Sequence, residues 1–220
     1  MRSWTGCGVA VAICLQCGCA LTSKSDAMVA RYFTPESSVA AAEPTTTGAL
    51  ELRLGRVNSA SYIKDKIVFR ESPYEVGYYE GKRWTEKPET YVRRALTRAL
   101  FERRGIRQLV FGAGSTLDVD VIAFEEVRVP THVGRVQLTY SLSDDRVVRL
   151  AGSVTVERPI AGATTEGAAD AIVQALSVAL ADSVDLVAEK AVAELRAEVA
   201  PPKSASSPDP AAGGAASTTP

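Results

Sequence analysis

The sequence predicts an α+β fold: a small, mostly antiparallel sheet with one helix after the first strands and a long C-terminal helix. Three observations predict it. Segments that alternate apolar and polar residues recur between Leu50 and Val156, which is the period of strands with one buried face. Between them, the stretch from Pro88 to Gly105 changes to helical spacing. From Thr165 to about Val199, apolar residues recur every three or four positions, as on the buried stripe of a helix.

The elements follow in order. Leu50-Glu51-Leu52-Arg53-Leu54 alternates as a half-buried strand does. Ile67-Val68-Phe69-Arg70 is a β-branched and aromatic run, and Tyr74 to Tyr79 follows it after Ser72-Pro73, so the two form a hairpin. Glu80-Gly81-Lys82 is a further turn before Arg83-Trp84. Pro88 opens a helix, because a missing N–H costs little at the first helical position. Val92, Leu96, Ala99 and Leu100 form its apolar stripe, and Gly105 closes it. Arg93, Arg94, Arg98, Arg103 and Arg104 fill other positions, and those near its end complement the helix dipole. Leu117-Val119-Val121-Ala123, then Val136-Leu138-Tyr140-Leu142, then Val148-Leu150-Gly152-Val154-Val156 read as an antiparallel meander. In the last helix Ile172, Leu176, Leu180, Val184, Val187, Ala191 and Leu195 share a face. At 1.5 Å per residue it would be about 50 Å long, more than one small sheet covers. A break near Asp182-Ser183, or projection beyond the sheet, would resolve this.

The ends have a different character. Arg2 precedes an uncharged run to Ser23 whose apolar core is Val9 to Leu15. That is the layout of a secretory signal, and the core is too short to span a bilayer. Leu15-Gln16-Cys17-Gly18-Cys19 is similar to a bacterial lipobox, with Gly18 as the small residue before Cys19. We expect residues 1–18 to be a lipoprotein signal peptide and Cys19 to carry lipid; cleavage near Ala20 without lipid is the alternative. Cys7, Cys14, Cys17 and Cys19 are the only cysteines, so the exported part has no disulfide or thiolate metal site to form. Residues 19–48 are mostly Ala, Thr, Ser, Pro and Glu and read as a flexible tether of about 30 Å coil span, stretching to nearly 100 Å. A short strand around Met28 to Phe33 is the other reading. Residues 49–200 form the folded domain, and 201–220, with no large apolar residue, a disordered tail.

No catalytic set stands out. His132 is the only histidine; with no cysteine partner it reads as a loop residue. Gly112-Ala113-Gly114-Ser115-Thr116 lacks the lysine and the following helix of a phosphate loop. Asp118 with Asp120, Glu125-Glu126 and Asp144-Asp145 read as solvated positions. The net charge of −1 does not point to nucleic acid. Arg93, Arg94 and Arg98 read first as a solvated helix face and second as contacts for lipid headgroups or an acidic partner. Trp84 and the tyrosines Tyr62, Tyr74, Tyr78 and Tyr79 read first as core and second as an apolar groove.

One stretch goes beyond patterning: Tyr62-Ile63, Ile67 to Ser72, Glu75 to Tyr79, then Arg83-Trp84-Thr85-Glu86-Lys87-Pro88. It resembles the ABC-type transport auxiliary lipoprotein family, over roughly Leu50 to Leu195. The resemblance implies a non-catalytic protein with no cofactor, sorted to the periplasmic face of the outer membrane. It would dock an ABC permease, its ATPase and a mammalian-cell-entry-domain protein that move lipid between membranes, and it would assemble with copies of itself. Arg83, Trp84, Arg94 and Arg98 are the candidate partner or lipid contacts. The runner-up is an outer-membrane lipoprotein that activates a peptidoglycan synthase.

Overall fold

The computed structural model describes residues 29–35, 50–145, 147–162 and 168–199. Strands β1 (Arg31–Phe33), β2 (Glu51–Ser59), β3 (Lys66–Ser72) and β4 (Glu75–Trp84) precede helix α1 (Pro88–Thr97), which continues as a π-helical segment, Arg98–Arg103. Then come β5 (Arg107–Gln108), β6 (Thr116–Val127), β7 (Val133–Ser143), β8 (Val148–Pro159) and helix α2 (Ala168–Val199). The predicted signal peptide, Cys19 and the C-terminal tail lie outside the described residues.

β6 is the spine of an eight-stranded sheet. One side of it pairs antiparallel with β7 along its whole length, and β7 pairs antiparallel with β8. The other side is shared end to end: β2 runs parallel to its first half and β3 parallel to its last residues. β4 returns antiparallel to β3, β1 lies parallel on the far side of β4, and β5 lies parallel to β2. The sheet is therefore mixed, where the sequence pattern suggested a mostly antiparallel one. Period two reports which face is buried, not the direction of the neighbouring strand. The crossover through α1 is what returns the chain parallel to β2.

Helix α1 starts at Pro88 as expected, with Glu89 in its first turn. It buries Tyr91, Val92 and Leu96, and the π-helical segment buries Ala99 and Leu100. Gly105 follows at φ 61°, a conformation glycine adopts without a Cβ penalty. Trp84 is 2 % exposed, edge-on to Phe124 at 5.3 Å and to Tyr91 at 6.2 Å.

Helix α2 is continuous for 32 residues, with no break at Asp182-Ser183. The Ser183 hydroxyl donates back to Ala179 O (2.6 Å), and Asp182 pairs with Arg158 of β8. The strands explain how so long a helix is covered. β6, β7 and β8 have 11 or 12 residues, about 36–40 Å at 3.3 Å each. By length and composition α2 could cross a membrane, but its apolar stripe from Ala169 to Leu195 is packed in the core, with Val178 and Leu186 on the exposed face. Gly134 permits the close approach: a Cβ there would lie 3.0 Å from the Leu176 backbone nitrogen.

β1 falls inside the 19–48 segment read as a tether. Phe33 buries its ring, Phe33 O accepts the Thr85 N–H (2.9 Å), and the Thr34 and Thr85 hydroxyls meet at 2.8 Å. Three extended residues and one aromatic suffice to add an edge strand, although the composition around them is tether-like.

Candidate ligand cavity and exposed surfaces

Arg94 and Arg98 are four residues apart, hence on one stripe of the helix. Tyr91 lies one turn earlier. With Ala95, with Leu180 of α2, and with Thr34 and Pro35 after β1, they line an open cavity of about 260 Å³. The Tyr91 hydroxyl is already bonded, accepting the Glu86 N–H at 2.8 Å and meeting Thr85 Oγ1 at 2.9 Å. Its ring therefore serves as wall. Arg94 is exposed, pairs with the Glu86 carboxylate and stands 6.0 Å from the Tyr91 ring centroid. Arg98 is exposed, and its guanidinium has no hydrogen-bond or ion-pair partner among the described residues.

The other two contact candidates lie elsewhere. Arg83 pairs with Asp65 beyond the end of β2. The little burial Asp65 has works against its charge, but Arg83, its own N–H and Lys66 outweigh this and hold its carboxyl below the usual range. The Trp84 ring is in the core, with a buried Nε1 that has no partner; no partner or lipid can reach it without opening the fold.

Two carboxylates read as solvated are buried. The register of β6 shifts between Val121 and Ala123, leaving Ile122 partly exposed, a β-bulge that re-aims the side chains after it. Glu125 (1 % exposed) then accepts Arg70 Nε at 2.8 Å and Nη2 at 3.1 Å, with Arg135 at 3.7 Å and the Tyr62 hydroxyl at 3.4 Å. Glu126 (2 % exposed) accepts from the Tyr79 hydroxyl at 2.6 Å and Arg128 Nε at 3.3 Å, and meets His132 Nε2 at 2.5 Å. His132 is in a loop, as expected, but tied to a buried carboxylate. Burial, with Glu126 beside it, pushes the Tyr79 hydroxyl up to about 12. Arg128 also bonds Tyr79 and Glu71 and lies 3.9 Å from the Phe69 ring centroid. Burial lowers Arg128's affinity for its proton, but these bonds more than restore it. Burial likewise pulls the Lys82 ammonium, 3.8 Å from the Tyr79 ring centroid, below its ordinary value. Both clusters use their charges on each other. Among the described residues no group of three His, Cys, Asp or Glu is placed to hold a metal.

The Gly112 to Thr116 segment is a turn into β6 rather than a phosphate loop, with Gly112 at φ 92° and Gly114 at φ 153°. Arg53 holds it through Gly112 O. Just before it, Val110 (68 % exposed) and Phe111 (87 % exposed) stand in solvent. Val147 of the β7–β8 turn, Val148 at the start of β8 and Val199 at the end of α2 are exposed too. All five are at the end of the sheet where β6 starts. Sequence periodicity does not find this end, because Val110 and Phe111 precede the alternating run that begins at Leu117.

Fold and surface together define a class: a small α+β module whose buried charges are internally paired and whose outward chemistry is an arginine-bearing cavity and an apolar end. Residues 33–188 match the family described as the ABC-type transport auxiliary lipoprotein component. The chain belongs to that family. A Xanthomonas campestris protein of the DUF330 family shares the fold, with a TM-score of 0.62 at 20 % identity over 77 % of this chain and 99 % of that one. A second crystal structure, of an uncharacterized protein, gives 0.54 at 15 % identity over 74 % and 98 %. No curated protein matches the sequence.

Proposed function

We propose that the chain is a non-catalytic lipoprotein, held by lipid on Cys19 at the periplasmic face of the outer membrane. There it acts as the docking component of an ABC-type, mammalian-cell-entry-linked lipid transport system. The family match over residues 33–188, from the end of β1 into α2, carries this reading. Two features support it. The buried carboxylates are committed to ion pairs rather than arranged around a cleft. Val110 and Phe111, at the end of the sheet, offer a protein partner apolar surface without unfolding anything.

A pull-down from solubilised envelopes tests the partners. Recovery of a permease, an ATPase and a mammalian-cell-entry protein is the expected result. Recovery of a peptidoglycan synthase without any of them would replace this reading with the runner-up. For the anchor, Cys19→Ala should release the protein in soluble form; a variant that still fractionates with the outer membrane would refute lipidation at Cys19.

A further inference from the structure

We propose that the cavity between α1, α2 and the chain after β1 holds the phosphate of a phospholipid headgroup, gripped by Arg98 and Arg94. This rests on the proposed Cys19 anchor for the source of the lipid, but not for the chemistry of the site.

Three observations carry it. The first is the arginine pair. Like charges four apart on a helix repel when nothing lies between them, and an anion turns that repulsion into attraction. Arg98 offers five N–H donors and spends none on a described residue, while Arg94 spends its fork on the exposed Glu86 alone. The helix end does not need them: beyond them, Arg104 Nη1 already donates to Ala99 O at 3.0 Å. A guanidinium fork matches phosphate oxygens two at a time.

The second is size and lining. The roughly 260 Å³ cavity has room for a phosphate and the carbons next to it, not for an acyl chain. Ala95 and Leu180 supply apolar wall beside the arginines, which suits the glycerol end of an amphiphile. The third is position. Thr34, on the cavity wall, is fifteen residues after Cys19. That is at most about 50 Å of chain, so an anchored molecule keeps the cavity beside headgroups at high local concentration.

The test uses the full mature chain in neutral detergent, titrated with short-chain phosphatidylglycerol, the matching diacylglycerol and inorganic phosphate. Phosphatidylglycerol should bind, with affinity falling at least tenfold in Arg94→Gln/Arg98→Gln. Arg93→Gln, next on the helix but bonded to Gly55 O, should bind as wild type. Diacylglycerol should not bind. Unchanged phosphatidylglycerol affinity in the double variant at wild-type thermal stability would overturn the proposal. So would equal binding of diacylglycerol. Inorganic phosphate binding as tightly as phosphatidylglycerol would overturn the lipid source, leaving a free-phosphate site. Cys19→Ala protein should still bind short-chain phosphatidylglycerol. A chain found without an anchor yet binding through Arg94 and Arg98 would refute the anchor and keep the site; an anchored chain that does not bind would do the reverse.

Discussion

Replacing Arg70 with alanine removes both guanidinium bonds to Glu125, at 2.8 and 3.1 Å, and leaves a carboxylate that is 1 % exposed. Breaking one side of a buried ion pair costs about 3–5 kcal/mol, because the remaining charge is stranded. Arg135 stays at 3.7 Å and the Tyr62 hydroxyl at 3.4 Å, so the low end applies, about 3 kcal/mol. With a urea m-value of about 2 kcal/mol/M, the midpoint should fall by about 1.5 M; for a domain of this size the melting temperature should fall by about 6–12 °C. The control is Arg70→Met/Glu125→Gln, which removes both charges. Tyr62 keeps its bond to Ile122 O (2.8 Å), and a neutral pair in a packed site is often as stable as the ion pair. The double variant should stay within about 1 kcal/mol of wild type. Denaturant unfolding followed by far-ultraviolet circular dichroism reads both. A single variant as stable as wild type would mean that Glu125 is solvated; a double variant no better than the single would mean that packing, not stranded charge, is what Arg70 supplies.

Three further outcomes are expected. Gly134→Val should destabilise by about 1–3 kcal/mol or more, since its Cβ would press on the Leu176 nitrogen and the Ala175 backbone of α2; thermal melting checks it, and an unchanged midpoint would show that α2 can lift. Tyr79 should ionise near pH 12, against 10.0 for an ordinary tyrosine, read by tyrosinate absorbance. Because its folded value is the higher one, the stability it contributes is complete below about pH 10 and lost as pH rises through about 12; Tyr79→Phe should remove that part of the pH dependence. Phe111→Ser should leave stability within about 0.5 kcal/mol and yet weaken capture of transporter components; full capture would move the docking surface away from this loop.

Much of the fold was legible because local chemistry spoke clearly. Pro88 and Gly105 bracket the first helix where the structure places it, and alternation located β6, β7 and β8. What was not legible depends on partners far apart in the chain. Glu125 and Arg70 are 55 residues apart, and no local pattern links them. Both Glu125 and Glu126 read as solvated; the bulge at Ile122 and the strands packed around that end of β6 bury both. The cavity has the same character. Arg94 and Arg98 were visible as a pair of cations on one helix face, but only the fold brings Leu180 and Thr34 to them. Trp84 was visible as an aromatic beside an arginine, and the fold separates the two: the ring goes inward and Arg83 goes to Asp65.

β1 changes what the anchor would do. A free tether from Cys19 to residue 48 would let the domain roam nearly 100 Å from its membrane. Pairing of Arg31 to Phe33 with β4 leaves twelve residues from Cys19 to Arg31, at most about 40 Å extended and about 20 Å as a coil. That is less than the roughly 48 Å length of α2, at 32 residues and 1.5 Å each. On the proposed anchor, the domain therefore stays within its own length of the bilayer, and its partners must come to it. The leash also has a side. Thr34 and Pro35, immediately after β1, line the same cavity as Arg94 and Arg98, so the edge strand on which the leash ends borders the cations. The loop with Val110 and Phe111 enters β6 at its start, whereas β1 runs opposite to β6, so the leash leaves from the start of β1, away from that end. A short leash on one side and an apolar end on another would orient the module: arginines toward headgroups, Phe111 toward whatever protein docks.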